Sequence, residues 1–83
     1  MNSERPRNAD RAEWAASTMS KFAMLTGLNE DLCVDPETVL ADLLVDLMHW
    51  CDAQRANYYL EGAVDFPSAL GRAQRHYEEE CAN

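Results

Sequence analysis

The sequence predicts an all-α fold, a compact bundle of three helices, or of four if the second one breaks. Apolar residues recur at helical spacing in three separate segments. No alternating stretch is long enough for a strand, and Asp-Pro and Gly mark where helices start and stop. With 83 residues the chain makes one small domain, and its 47% apolar content excludes wholesale disorder. Residues 1–7 read as a flexible polar tail and residues 8–83 as a single helical domain.

The first helix is expected to begin at Asn8 or Asp10, both good N-caps, and to stop near Gly27. Ala12, Ala15, Ala16, Met19, Phe22 and Ala23 fall on one face. Trp14, Thr18 and Leu25 form a second apolar patch roughly 80–140° around the axis from that stripe. The helix is therefore either covered on two sides or offers that patch to a partner. The following LNEDLCV has no strong period and reads as a linker.

DPET then gives a clear helix start, with Asp35 as N-cap, Pro36 at the first helical position and Glu37 against the positive end of the dipole. Leu40, Leu43, Leu44, Leu47, Trp50 and Cys51, widened by Val39 and Met48, span about half the circumference. A helix so apolar is expected to be central and to touch two neighbours. It can run to Glu61 or turn near Asn57, since nothing before Gly62 breaks it strongly. Tyr58 and Tyr59 are then either late helix or a loop lid.

A last helix opens with Asp65 as its cap and Pro67 in its first turn, and Phe66, Ala69, Leu70, Ala73 and Tyr77 share a face. Gly71 weakens it by about 1 kcal/mol relative to Ala. Glu78, Glu79 and Glu80 crowd the negative end of its dipole, so fraying is expected there. Trp50, Phe22, Phe66 and Tyr77 are expected mostly in the core. Trp14, Tyr58 and Tyr59 are left over as candidate interface anchors.

The three cysteines, Cys33, Cys51 and Cys81, are an odd number without a CxxC pair, and read as reduced thiols. The net charge of −8 disfavours direct binding to nucleic acid or to an anionic membrane surface. No run approaches the roughly 18 apolar residues of a membrane span. The charged N-terminus lacks the apolar core of a secretion signal, which makes the cytoplasm the expected compartment.

Charge is also unevenly placed. Residues 28–54 carry seven acids and no Lys or Arg. Asp35, Asp42, Asp46 and His49 fall within roughly 60° of one another around the axis, opposite the leucines. The strip has three readings. It is the solvated side of a helix, or a metal site in which Asp46 and His49 pair with His76 and Glu80, or an acidic surface aimed at a basic partner. On the third reading, successive acids lie about 6 Å apart along the helix, close to the spacing of phosphates along a strand. His76 and Tyr77 stand in no nucleophile constellation, and no phosphate loop, dinucleotide or zinc-protease motif is present.

The pattern DLLVDLMHWCD, followed by DF, AL, A and HYEEE, resembles a group of small bacterial proteins often carried on plasmids, phages and integrated elements. The likeness covers residues 38–80, about half the chain, and departs at QRANYYLEGAV, which is longer than the usual turn. It brings no activity with it, and implies a cytoplasmic protein of a mobile element. A weaker likeness is to the all-α MazG-type nucleotide pyrophosphohydrolases, whose paired helices supply Glu-rich metal ligands and one of whose helices reads much like VLADLL, Asp42 matching the aspartate of that motif. The glutamate expected three residues earlier is Val39 here, and the first helix offers only Glu13 in place of an ExxE pair.

The function expected is that of a small, acidic, non-enzymatic protein-binding protein without metal or cofactor. Its partner surface is Asp35, Asp42, Asp46 and Asp52, with Trp14, Tyr58 and Tyr59. In its most specific form it is a mobile-element inhibitor of the anti-CRISPR or anti-restriction type, blocking a nucleic-acid-handling complex. The alternatives are a reduced Mg²⁺-dependent pyrophosphohydrolase relative and a structural homodimer.

Overall fold

The computed structural model describes residues 7–56 and 64–82. The fold is all-α, with no strand among the described residues. The elements are α1 (Asn8–Thr26), α2 (Asn29–Val34), α3 (Pro36–Ala56) and α4 (Phe66–Ala82). The break or run-on expected for the long central helix beyond Ala56 lies outside the described residues, and the fourth helix among those described is α2. It forms within the expected linker: Leu32 N–H donates to the Leu28 carbonyl at 2.9 Å and Asp35 N–H to the Asp31 carbonyl at 2.7 Å. Glu30 and Asp31 lie in its first turn, where the dipole favours them. Six residues are too few to display an apolar period, which is why the sequence pattern does not reveal this helix.

The start of α1 is also corrected. Its N-cap is Arg7 rather than Asn8 or Asp10. Asp10, three residues in, reaches back to accept the Arg7 backbone N–H at 3.2 Å, and its carboxylate lies 3.7 Å from Arg7 Nε. Arg7 thus belongs to the helix start, while the rest of the expected tail lies outside the described residues. The end of α1 is as expected. Gly27 takes a left-handed φ of 77°, and Leu28 N–H closes the last turn on the Ala23 carbonyl at 2.8 Å.

Asp35 caps α3, its carboxylate accepting from Thr38 N–H at 3.4 Å and from the Thr38 hydroxyl at 2.6 Å. Asp65 caps α4 in the same way, accepting from Ser68 N–H at 2.9 Å. In both cases the carboxylate satisfies a donor that has no partner inside the helix. Unbroken helix continues to Ala56 in α3, so a turn before that residue is excluded. Despite Glu78, Glu79 and Glu80, α4 persists to Ala82.

Packing divides the chain inside α3, into Met1–Leu43 and Leu44–Asn83. In the first unit α1 packs on α2. Ala23 and Val39 are fully buried, and Met19, Phe22, Leu28, Leu32 and Leu43 are half-buried. The expected α1 stripe is thus covered only in its second half, because Ala12, Ala15 and Ala16 are exposed. In the second unit Cys51 is buried, as its helical position suggests, and Val64, Phe66 and Gly71 are half-buried. Cys33 and Cys81 are exposed, and all three thiols are free.

Gly71 has an ordinary backbone, and a Cβ there would meet only the mobile end of Arg75, at 3.9 Å. Gly71→Ala is expected to stabilise α4 by about 1 kcal/mol, since it removes backbone freedom from the unfolded chain without a clash. Urea unfolding followed by circular dichroism measures this; an unchanged or lowered midpoint would contradict it.

Candidate functional site

The candidate surface is the outside of α3. Asp42, Asp46 and His49 project from consecutive turns within the narrow angular range set by the 3.6-residue period. All three are exposed, and among the described residues none of their side chains has a hydrogen-bond or ion-pair partner. Asp35 and Asp42 belong to the first unit, and Asp46, His49 and Asp52 to the second.

The four aspartates expected to form one surface are not equivalent. The Asp35 carboxylate is engaged with Thr38, so its first role is to start α3. Asp52 is exposed but lies about 90° around the axis from the centre of the strip. Within the second unit the strip proper is therefore Asp46 and His49, and Asp42 stands one turn earlier in the sequence, in the first unit. Tyr58 and Tyr59 lie outside the described residues. Trp14 is 59% exposed, and Leu25 and Thr18 beside it are exposed as well. The Thr18 hydroxyl donates to the Trp14 carbonyl at 3.0 Å, which satisfies its hydrogen. Open grooves run along this side of α1, one lined by Ser17, Thr18, Lys21, Phe22 and Leu25.

The larger surprise is apolar. Leu44, Val45, Leu47, Met48 and Trp50 of α3 are all exposed, Trp50 to 52%, although the period placed most of them in a core. Tyr77 of α4, also expected inside, is 68% exposed. Its phenol is held above its ordinary pKa by a hydrogen bond with the Cys81 thiol one turn on. Periodicity shows which residues share a face and says nothing of whether another element covers it. The sequence did carry one signal, apolar residues too widely spread around α3 for a single contact to hide.

Among the described residues, no three His, Cys, Asp or Glu side chains are placed together to hold a metal ion. Val39, where the MazG-type likeness needs a glutamate, is fully buried. No described helix is long and apolar enough to cross a membrane. Comparison with protein-family models finds no match, and no curated protein or solved structure matches the chain.

Because Asp35 is a cap, its substitution separates structure from charge. Asp35→Ala is expected to cost about 1 kcal/mol, whereas Asp35→Asn, which keeps an acceptor oxygen, should retain most of the stability. Urea midpoints of the two variants decide this, and equal values would remove the capping role.

Proposed function

We propose that this chain is a non-enzymatic, acidic protein-binding protein that docks α3 onto a basic protein partner. The observation that carries the reading is the unusual composition of the outside of α3. Trp50 lies bare about 40° around the axis from Asp46, and Val45 about 60° from Asp42; among the described residues neither carboxylate has a partner. Single exposed apolar residues are unremarkable, but the five from Leu44 to Trp50, spread around roughly 220° of the helix, leave apolar surface on more than one side of α3 for a partner to bury. Burial of that surface supplies affinity. The unpaired carboxylates steer the encounter and select a positively charged partner.

In its specific form, the protein inhibits a nucleic-acid-handling complex, as mobile-element inhibitors of the anti-CRISPR and anti-restriction kinds do. The roughly 6 Å axial rise between acids on successive turns supports this, as does the likeness of residues 38–80 to mobile-element proteins. Such a partner holds a groove lined with Lys and Arg for phosphates, which an acidic helix can enter.

A second reading rests on α1. The exposed Trp14, Thr18 and Leu25 follow one another at helical spacing and would bury one another in a homodimer. The partner surface and this self-contact lie on different helices and need not exclude each other.

Both readings make measurable claims. The protein should capture a nucleic-acid-handling complex from bacterial lysate at low salt and release it at high salt. Replacing Asp42 and Asp46 together by Lys should weaken capture at least tenfold and flatten the salt dependence, because like charges now face the partner. Undiminished capture with the same salt slope would end this proposal. For the α1 self-contact, Trp14→Asp should turn a dimer into a monomer by light scattering. A dimer that survives the change does not use the patch.

A further inference from the structure

We propose that Asp46 and Trp50 form a guanidinium-recognition pair, and that the residue they receive is an arginine of the basic partner. The inference rests on the docking role of α3 given above and names the chemical group at its centre. Asp46 and Trp50 stand four residues apart on one helix and within one packing unit. At that separation two Cβ atoms lie about 5–6 Å apart on the same face. Long side chains of a helix lean toward its N-terminus, over the residue one turn earlier. In the usual helical rotamers the indole of Trp50 leans toward Asp46.

Neither group is used by the rest of the described chain. Asp46 is exposed, Trp50 is 52% exposed, and among the described residues neither side chain has a hydrogen bond, ion pair or ring contact. Residues 28–54 contain no Lys or Arg to compete for the carboxylate from the same segment. A carboxylate next to an indole face matches the guanidinium in two respects. The planar fork donates two parallel hydrogen bonds to the carboxylate, and its face stacks on the ring within about 6 Å of the centroid. An ammonium can satisfy the charge but presents no plane to stack. A purely apolar occupant would leave Asp46 desolvated and unpaired, which is costly. A phosphate would be repelled.

Trp14 shows what the pair requires. It is as bare as Trp50, but the carboxylate one turn before it, Asp10, already faces Arg7 at 3.7 Å. Lys21, two turns on, is a cation on the same side of α1. A guanidinium approaching Trp14 therefore meets no available carboxylate and a like charge, so the aromatic residue expected from the sequence as an anchor is the poorer cation site.

The chain has two tryptophans, so Trp14→Phe leaves Trp50 as the single indole reporter. Two amphipathic peptides of about twelve residues, roughly three helical turns, differ only in carrying Arg or Lys at every third or fourth position. Titrated into this variant, the arginine peptide should change Trp50 emission saturably and bind several-fold more tightly than the lysine peptide. Asp46→Asn should weaken the arginine peptide about tenfold and erase most of that preference. Equal affinity for the two peptides, or an Asp46→Asn variant that binds like its parent, would overturn the pair. If the arginine preference is absent while charge reversal of Asp42 and Asp46 still abolishes complex capture, the docking face stands and this assignment falls. Trp50 emission that depends on protein concentration without peptide would mean that a second copy covers the ring, and would overturn it too.

Discussion

The structure turns on the mismatch between what α3 is made of and what the described residues put over it. About half of its circumference is leucine, valine, methionine and tryptophan, more than a one-sided surface helix needs. Yet Val39 and Cys51 are its only fully covered side chains among those described. At about 25 cal/mol per Å² of apolar surface removed from water, the exposed residues represent driving force that the described residues leave unused. Each of the two packing units is small, and units of that size have too little material for a large core.

With so little burial, local devices carry much of the order. Each helix longer than one turn or two has its own start: Asp10 reaching back to Arg7, Asp35 holding Thr38, Asp65 holding Ser68. Each satisfies backbone donors that would otherwise depend on water. Gly27 does the same for the carbonyl end of α1. These interactions span three to five residues, so they form regardless of how distant parts of the chain are arranged. They also explain why acidic residues are spread unevenly in role. Some aspartates are consumed in building helices, and those left over, Asp42 and Asp46, are available for recognition.

That division bears on the function. A uniformly acidic surface would suggest solubility and little else. Here the unpaired carboxylates stand on the same helix as bare apolar side chains, and water is a poor long-term neighbour for the latter. The two properties together describe a contact that is driven by burial and selected by charge, a division of labour common to protein interfaces. Trp50 stands one helical turn after Asp46, and that position gives the proposed contact a chemical centre.

Element type and most boundaries were legible in the sequence because they depend on neighbours a few residues away. Asp35-Pro36, Asp65 with Pro67 and Gly27 each act within one turn, and α1, α3 and α4 follow from them and from the 3.6-residue period. The angular strip of Asp42, Asp46 and His49 was likewise fixed by spacing alone. The short α2 escaped because six residues cannot show a period, and the cap at Arg7 because the work is done by Asp10 reaching backward. What only tertiary structure decided is coverage. Val39 and Trp50 lie close together around the axis of α3, yet one is fully buried and the other half bare. No local rule distinguishes them, because burial depends on which distant element arrives, and that is a property of the folded chain and of whatever it binds.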